Sequence, residues 1–362
     1  MSKPRILIIS VHNCIGNLKL GWTLLKMGYE VHVSGSHYSP THSFNLFASV
    51  NRWEIYGPDG TVDPTQLANA IQMYSKHVDI IVYCNEPNFP FKIIKENASV
   101  PCVFSIHDYT SIRDNPDPLE VEMEKWALEN ADGFLVVSKG YLKKIREISK
   151  KPSALIYLKV TQHMFPEGRK VKDMPGLTYE GGVKGANDLA YNYPYRNWAA
   201  FSHAALKGMK KEDQIYFYTA NDGEDFKEYN DDRIKLSPPI TYDVLLHNLG
   251  RHTAGLVGSP YPLPDFKDSM PNKLFEYVAA GIPAIVLNAP EALEYVEYFG
   301  LGVGISDPSE VGEALEKLRD HRILTDRWQF TMEGEMPKLL NLFEEVLCNA
   351  NPPKRYVRQL GV

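Results

Sequence analysis

The segment from Asp268 to Val286 holds residues whose types and spacing suit the binding of a charged, hydroxylated molecule. Pro271 can open a helix, and the first-turn amides of a helix lack intrahelical partners, so they favour an anion. Lys273 adds a cation beside these amides, and together they suit a pyrophosphate. Glu276 follows one turn later, where a carboxylate can accept hydrogen bonds from vicinal hydroxyls. The alternative is a well-capped surface helix in which Lys273 and Glu276 form a solvated pair.

The elements that must position this segment are those of an α/β protein. Short apolar runs rich in β-branched residues alternate with helical patterns, which is typical of parallel sheets covered by helices on both faces. We expect strands at 5–11, 30–34, 79–84, 100–106 and 133–137, and again at 177–180, 214–219, 233–236, 254–257, 283–287 and 302–305. The sequence therefore predicts two doubly wound, Rossmann-like domains that face each other across a deep cleft.

The domain boundaries follow from proline and glycine clusters between positions 150 and 176. We expect a first domain at 1–155, a second at 156–325, and a helical segment at 326–362 that crosses back to the first. Ligands of such domains bind beyond the carboxyl ends of the strands. The loops after the strands are therefore the places to seek functional residues.

Composition excludes several classes of protein. The chain has 362 residues, 44% of them hydrophobic and 23% charged, which excludes disorder, collagen and coiled coil. It has no apolar run near the ~18–20 residues of a membrane span, and its four cysteines show no CxxC spacing. We expect a cytoplasmic protein without stable membrane insertion. The formal charge of −6 gives no general attraction to nucleic acid.

One motif resembles a known family signature. The run Pro271-x-Lys273-x-x-Glu276-Tyr-x-Ala-x-Gly281-x-Pro283 is similar to the donor-binding signature of retaining GT-B glycosyltransferases, the glycosyltransferase group 1 superfamily that includes glycogen synthase. In that family an acid, seven residues and a glutamate follow one another, and Asp268 stands here where glutamate is commoner. The resemblance implies a GT-B fold and transfer of a sugar from a nucleotide-diphosphate-sugar to an acceptor hydroxyl with retention of configuration. It implies that Glu276 holds the ribose hydroxyls.

The resemblance also implies which other residues contact the donor. Gly16 lies in a turn after the first strand, where a simple strand-to-helix turn is the alternative interpretation. Lys184 or Arg196 would clamp the diphosphate, and the sequence does not decide between them. Ser259 would lie near the nucleobase. The expected donor-binding residues are thus Gly16, Lys184, Arg196, Ser259, Pro271, Asn272 and Glu276.

The residues expected to act in catalysis are His107, Asp268 and Lys273. His107 follows the strand at 100–106, and in the family a histidine at the corresponding strand end lies near the reacting sugar. A structural histidine is the alternative interpretation. Asp108 is expected to orient His107 or to cap the next turn, with a lesser role at the acceptor. Ser138 matches a serine of the family, and a helix N-cap explains it equally well.

Neither a metal nor a cofactor is expected beyond the donor substrate. The acidic runs at 222–225 and 231–232 lack a preceding apolar strand in register, so we interpret them as solvated turns and not as a DxD metal motif. Lysine, arginine and helix-terminal amides can neutralise the departing diphosphate instead. The sequence therefore predicts a metal-independent transferase.

The acceptor is expected to bind the first domain at the aromatic segment 36–56, which includes His37 and Tyr38. A small molecule, a glycan or a lipid-linked sugar is preferred. A hydroxymethylated pyrimidine in DNA is an alternative, because aromatic side chains can stack on an extruded base. Two other hypotheses are a nucleotide-sugar epimerase and a nucleotide-sugar-binding protein without turnover. The sequence leaves the donor sugar, the nucleobase and the oligomeric state open.

Overall fold

The computed structural model describes residues 3–10, 15–35, 49–52, 62–84, 87–113, 116–166, 172–185, 196–219, 226–321, 323 and 327–350. Within these residues the chain forms two parallel β-sheets, each covered by helices. The predicted α/β class with two Rossmann-like domains is confirmed.

The first sheet has seven strands in the order β3-β2-β1-β4-β5-β6-β7, where the sequence led us to expect five. The strands are β1 Ile6–Ser10, β2 Val31–Gly35, β3 Ser49–Arg52, β4 Ile80–Cys84, β5 Cys102–Ile106, β6 Gly133–Val136 and β7 Ser153–Leu155. The two additional strands, β3 and β7, lie at the edges of the sheet. Both are short, with four and three residues.

Five helices connect these strands, and a sixth returns from the end of the chain. They are α1 Ile15–Lys26, α2 Pro64–Tyr74, α3 Phe89–Asn97, α4 Pro118–Asn130, α5 Lys139–Ile148 and, from the C-terminal region, α12 Met336–Ala350. The apolar face of α12 (Leu339, Leu342, Phe343 and Val346) is buried in the same core as β1 and β4–β6. A Cβ added at Gly133 on β6 would lie 2.6 Å from Val346 Cγ2, so α12 packs directly on the sheet.

The second sheet has six strands in the order β10-β9-β8-β11-β12-β13. They are β8 Gly176–Gly181, β9 Gln214–Thr219, β10 Ile234–Ser237, β11 Ala254–Gly258, β12 Ala284–Leu287 and β13 Gly302–Gly304. Its helices are α6 Ala199–Gly208, α7 Tyr242–Leu249, α8 Pro264–Lys267, α9 Asn272–Ala280, α10 Pro290–Phe299 and α11 Val311–Leu318. Two apolar cores, one on each face, sandwich this sheet.

The chain crosses between the sheets twice, and the two crossings touch. Val160 on the outgoing segment pairs in a parallel bridge with Thr331 on the returning one. The ammonium of Lys159 lies 2.5 Å from the carboxylate of Glu335, and both side chains are buried. This contact fixes the start of α12 against the hinge.

The strand order reverses between β1 and β4 in the first sheet and between β8 and β11 in the second. Reversal points of this kind form crevices at the carboxyl ends of the strands, where α/β proteins bind ligands. Among the described residues, no helix is both long and apolar enough to cross a membrane.

Candidate functional site

Helix α9 carries the central residues of the site, and local signals set both of its ends. Pro271 is the N-cap in extended conformation and not the first helical residue, and its carbonyl accepts a hydrogen bond from Leu274 N. Its fixed φ of −63° suits either position, so the sequence could not separate them. Gly281 ends α9 in the left-handed conformation, at φ 78°. The helix that the sequence predicts after Pro271 therefore runs from Asn272 to Ala280.

Glu276 lies on the buried face of α9, and its carboxylate accepts hydrogen bonds from several side chains. Its Oε1 accepts hydrogen bonds from Lys19 Nζ at 2.7 Å and from Tyr242 OH at 3.0 Å. Burial opposes ionisation, but the Lys19 ammonium and hydrogen bonds from Glu180, Lys19 and Tyr242 bring the pKa of Glu276 down to about 2. Glu276 is therefore a carboxylate at neutral pH.

Glu180, near the end of β8, forms a side-chain hydrogen bond with Glu276. Burial and the negative charge of Glu276 raise the pKa of Glu180 well above its ordinary value. Glu180 is consequently the protonated partner, and its O–H donates to the Glu276 carboxylate. The hydroxyl of Tyr277 accepts the Glu180 backbone N–H at 3.3 Å and holds this end of the strand.

The turn after β8 brings two cations close to the start of α9. Gly181 has φ 122°, and the Lys273 ammonium lies 5.0 Å from the centroid of the Tyr179 ring. A Cβ at Gly182 would lie 2.9 Å from Arg196 Nη1, so the guanidinium crosses directly over this glycine. Burial disfavours the charged ammonium, yet Tyr179, Glu180 and Glu276 keep the pKa of Lys273 above its ordinary value.

Arg196 and Lys184 were the two candidates for the diphosphate clamp. The positive charge of Arg196 acts to lower the pKa of Lys273, so the two cations are near enough to repel each other. The contact described for Lys184 involves its backbone, whose N–H donates to the Arg196 carbonyl at 2.9 Å. Arg196 and Lys184 thus lie in the same turn, with the Arg196 guanidinium over Gly182.

The first turn of α1 lies against the first turn of α9 across the cleft. A Cβ at Gly16 would lie 2.6 Å from Leu158 Cδ1 and 3.5 Å from Asn272 Nδ2. Gly16 and Asn272 therefore lie next to each other. Only a residue without a side chain fits here without displacing Leu158.

Asp268 faces the first domain instead of open cleft. Its carboxylate pairs with Lys144 Nζ on α5 at 2.8 Å, and its carbonyl accepts a hydrogen bond from Ser138 Oγ. Ser138 Oγ also accepts the Tyr141 backbone N–H, so this serine is the N-cap of α5. A Cβ at Gly140 would meet Asp268 Cβ at 2.7 Å, which shows how closely α5 approaches.

His107 lies just beyond the carboxyl end of β5, as the sequence predicts. Ser105 Oγ is 3.1 Å from its Nε2. Burial lowers the pKa of His107 to about 4, so the ring is neutral at pH 7. The Asp108 carboxylate forms an ion pair with Arg113 at 3.5 Å. Asp108 thereby connects the end of β5 to Arg113 after the following turn, whose N-cap is Tyr109.

The remaining expected residues are less central. Ser259 is buried after β11, where its Oγ accepts the Tyr261 N–H at 3.2 Å and its carbonyl accepts Asn288 Nδ2 at 3.0 Å. His37 and Tyr38 lie outside the described residues, and so does the acidic run at 222–225. In the described part of the chain, no group of three histidine, cysteine, aspartate or glutamate side chains is arranged to hold a metal ion.

Four residues of the site did not emerge from the sequence: Lys19, Lys144, Glu180 and Tyr242. The sequence around Lys19 does indicate a buried ion pair, because a lysine flanked by Leu18 and Leu20 on an apolar helix needs a buried partner. Glu180 also has a local signal, because it is an acid directly before a glycine pair at a strand end. The partners of Lys19 and Lys144 lie 257 and 124 positions away along the chain, and no local pattern identifies them.

Neither family models nor curated proteins contain a match to this sequence. Solved structures do match in shape. HepE from Anabaena, in complex with UDP and glucose, superposes with a TM-score of 0.70 at 13% identity over 93% of this chain and 99% of that one. The T4 α-glucosyltransferase, in complex with UDP and a 13-mer DNA containing an HMU base, gives 0.60 at 13% identity over 96% and 100%.

AviGT4, a glycosyltransferase involved in avilamycin A biosynthesis, gives a TM-score of 0.58 at 14% identity over 96% of this chain and 98% of that one. All three alignments span both domains. At this level of identity the likeness establishes the fold, which is GT-B, and the predicted fold class is thereby confirmed.

Proposed function

We propose that this protein is a glycosyltransferase that moves a sugar from a nucleoside-diphosphate-sugar to an acceptor hydroxyl, with retention of anomeric configuration. One observation carries the proposal: Lys273 and Arg196 converge beside the N-terminus of α9 and a glycine turn, with Glu276 one helical turn away. Two neighbouring cations attract an anion more strongly than either does alone. A diphosphate at this position would place its ribose toward Glu276.

The electrostatics of the site suit the leaving group of such a reaction. Negative charge accumulates on the diphosphate as the sugar–oxygen bond breaks, so donors aimed at that charge accelerate transfer. Lys273, Arg196 and the free amides of α9 supply this stabilisation without a metal. UDP complexes of HepE and the T4 α-glucosyltransferase support uridine diphosphate as the first nucleotide to test.

The sugar itself would lie between Asp268 and His107. A neutral His107 can donate one hydrogen bond and accept another, which suits contact with a sugar hydroxyl. The acceptor would approach from the first domain, and the net charge of −6 favours a small molecule or a glycan over DNA. The resemblance of the signature around Glu276 to that of retaining enzymes supports retention, with the diphosphate assisting on the same face as the acceptor.

The first experiment tests the donor site. Purified protein is screened by thermal shift against nucleoside-diphosphate-sugars without added metal, and nucleotide release is followed by mass spectrometry. Wild type should be stabilised by one donor, by about 2.7 kcal/mol at a concentration of 100 Kd. Lys273→Met and Arg196→Met should each weaken binding about tenfold or more, because each removes a charged contact to phosphate. Lys267→Met, an exposed lysine on α8, is the matched control.

The outcomes separate the competing hypotheses. Slow release of nucleoside diphosphate together with a free sugar supports a transferase that uses water in place of its acceptor. An epimerised donor identifies an isomerase, and saturable binding without chemistry identifies a binding protein. If no nucleotide or nucleotide-sugar binds, the assignment of the site around Lys273 is wrong.

A further inference from the structure

Glu180 lies between the two parts of the proposed donor site, and the sequence assigned it no role. It precedes the turn of Gly181 and Gly182 at the end of β8, where the charge of Lys273 acts on it. Its side chain is hydrogen-bonded to the carboxylate of Glu276. Glu180 therefore connects the turn beside the two cations to the acid at which a ribose would bind.

The backbone of Glu180 is held in place by its own domain. It pairs with Tyr218 in the parallel ladder of β8 and β9, and its N–H donates to the Tyr277 hydroxyl at 3.3 Å. That hydroxyl donates in turn to the Leu256 carbonyl on β11, at 3.1 Å. The position of Glu180 relative to α9 is therefore set within the second domain, whatever the separation of the two domains.

Two hydrogen-bond donors from the second domain direct the carboxylate of Glu276. The Tyr242 hydroxyl on α7 donates to its Oε1 at 3.0 Å, and Glu180 donates from β8. Hydrogen bonds from two fixed elements restrict the side-chain torsions of Glu276 before a ligand arrives. A ligand that binds an ordered side chain does not have to order it, so this preorganisation increases affinity. Loss of either donor should therefore weaken the binding of hydroxyl groups to Glu276.

The group on Glu180 that donates this hydrogen bond is neutral. Burial and the negative charge of Glu276 keep the pKa of Glu180 well above its ordinary value. A second carboxylate here would repel both Glu276 and a diphosphate, whereas a neutral carboxyl repels neither. A glutamine amide is also neutral and also donates hydrogen bonds, so it can take over this function. Methionine has a similar length and no donor.

We propose that Glu180 is a positioning residue for nucleotide recognition, whose hydrogen bond holds the Glu276 carboxylate in the orientation that accepts the ribose hydroxyls. The contact between ribose and Glu276 rests on the proposed function, whereas the hydrogen bond between the two acids is a feature of the fold. Glu180 thus contributes to affinity for the ribose and not to affinity for the phosphates, which would bind at Lys273 and Arg196.

Calorimetry at pH 6 with three probes tests this role. UDP presents both ribose hydroxyls, 2′,3′-dideoxy-UDP presents neither, and inorganic pyrophosphate presents only the phosphates. Wild type should prefer UDP to the dideoxy analogue by about tenfold or more, as expected for hydrogen bonds to a carboxylate. Glu180→Met should reduce this preference by about twofold to tenfold, the loss expected when a binding side chain is no longer ordered in advance. Glu180→Gln should restore the preference.

Further variants separate positioning from structural support. Tyr242→Phe removes the other hydrogen bond from this domain to Glu276, so it should reduce the preference for UDP as Glu180→Met does. Glu212→Met makes the same substitution at an exposed position before β9 and should leave the affinities for all three probes at their wild-type values. Pyrophosphate affinity should stay constant in every variant, because none of them removes a phosphate-binding group.

The result for Glu180→Met decides the proposal. A reduced preference for UDP, restored in Glu180→Gln at constant pyrophosphate affinity, supports the positioning role. An unchanged preference overturns it. An equal loss of affinity for all three probes overturns it as well, because Glu180 would then only support the glycine turn. Glu180 is half-buried at a strand end, so methionine should be accommodated, and Glu180→Ala, with the same expected loss, replaces this variant if it does not fold.

The behaviour of wild type distinguishes this inference from the proposed function. If wild type binds neither UDP nor pyrophosphate, the proposed function is wrong. If it binds UDP and the dideoxy analogue equally, the donor site stands, but Glu276 does not hold the ribose and Glu180 has no positioning role. If it prefers UDP and Glu180→Met keeps that preference, the proposed function stands and the positioning role alone is overturned.

Discussion

Glu180 and Glu276 share one proton in a buried site, and this arrangement sets the charge available to a ligand. Two carboxylates at hydrogen-bond distance cannot both ionise without strong repulsion. Lys19 and Tyr242 stabilise the charge on Glu276, so the proton stays on Glu180. The site thereby keeps one defined acceptor and one defined donor.

This sharing predicts a pH-dependent stability that Glu180→Gln removes. Unfolded Glu180 loses its proton near pH 4.5, whereas the folded residue keeps its proton to a higher pH. Folding stability therefore falls as pH rises through that interval. Glutamine stays neutral at every pH. The free energy of unfolding of Glu180→Gln, relative to that of wild type, should therefore increase by about 1.4 kcal/mol per pH unit above pH 4.5, until folded Glu180 ionises.

Urea unfolding at pH 5, 6, 7 and 8 measures this difference. Glu297→Gln, which alters an exposed side chain on α10, should show a constant difference from wild type over the same range. A constant difference for Glu180→Gln as well would mean that Glu180 ionises normally in the folded protein.

His107 gives a second prediction at the same scale. Because burial lowers its pKa to about 4, the folded protein keeps this ring neutral where the unfolded chain protonates it near pH 6.5. Stability should therefore fall as pH drops from about 6.5 to about 4. Nuclear magnetic resonance titration, with the ring signal assigned by its loss in His107→Asn, should give a midpoint near 4. A midpoint near 6.5 would show that water reaches the ring.

Single residues could be predicted from the sequence only when their signal was local. Lys273 and Glu276 stand at helical spacing after a proline, and His107 follows an apolar run, so each was a candidate before the fold was known. Lys19 and Lys144 acquire their roles from partners on the opposite domain. Such pairings depend on how the domains dock, which no local pattern contains.

Helices and strands, like single residues, could be predicted from the sequence only where a local signal marks them. Helix α9 has the expected bounds because Pro271 and Gly281 mark both ends with fixed backbone conformations. Strand β3 was missed because its four residues, Ser49–Arg52, contain no apolar run. Residues 154–160 are strand-like in sequence, but their place among the proline and glycine clusters assigned them to the hinge, so β7 was not predicted to join the sheet. Edge strands bury less surface than central ones, so their sequences are less constrained.

Substitutions at two glycines of the site should affect UDP affinity and folding stability separately. A Cβ at Gly182 meets the Arg196 guanidinium, the flexible end of a side chain, so Gly182→Ala should displace that cation with little effect on folding. We expect UDP affinity to fall about tenfold to a hundredfold, as for loss of a charged hydrogen bond. Calorimetry measures this loss.

Gly281→Ala is the matched counterpart. Gly281 has open space around it but φ 78°, so alanine strains the backbone and clashes with nothing. The free energy of unfolding should fall by about 1–2 kcal/mol, while the affinity for UDP stays near that of wild type. Equal losses of affinity in both variants would show that Gly182→Ala acts through general destabilisation.

The whole molecule depends on the place where the chain crosses between its domains. Helix α12 belongs to the first core although it follows the second domain in sequence, so two segments of the chain join the domains. Lys159 and Glu335 connect these two segments in a buried ion pair at 2.5 Å. Both side chains are buried, so removal of the Glu335 charge leaves Lys159 with the neutral Gln329 carbonyl oxygen, at 2.9 Å, in place of a counter-charge.

A double-mutant cycle tests this crossing. Glu335→Gln should lower the free energy of unfolding by about 3–5 kcal/mol, because it leaves a buried lysine without its counter-charge. Lys159→Met combined with Glu335→Gln should be more stable than Glu335→Gln alone, since the stranded charge is gone. Lys338→Met removes the half-exposed partner of Glu335 and should cost less than about 1 kcal/mol. Urea unfolding of wild type, Lys159→Met, Glu335→Gln and the double variant at pH 7 measures the cycle, with Lys338→Met as a control outside it. Strictly additive losses would mean that Lys159 and Glu335 stabilise the hinge independently.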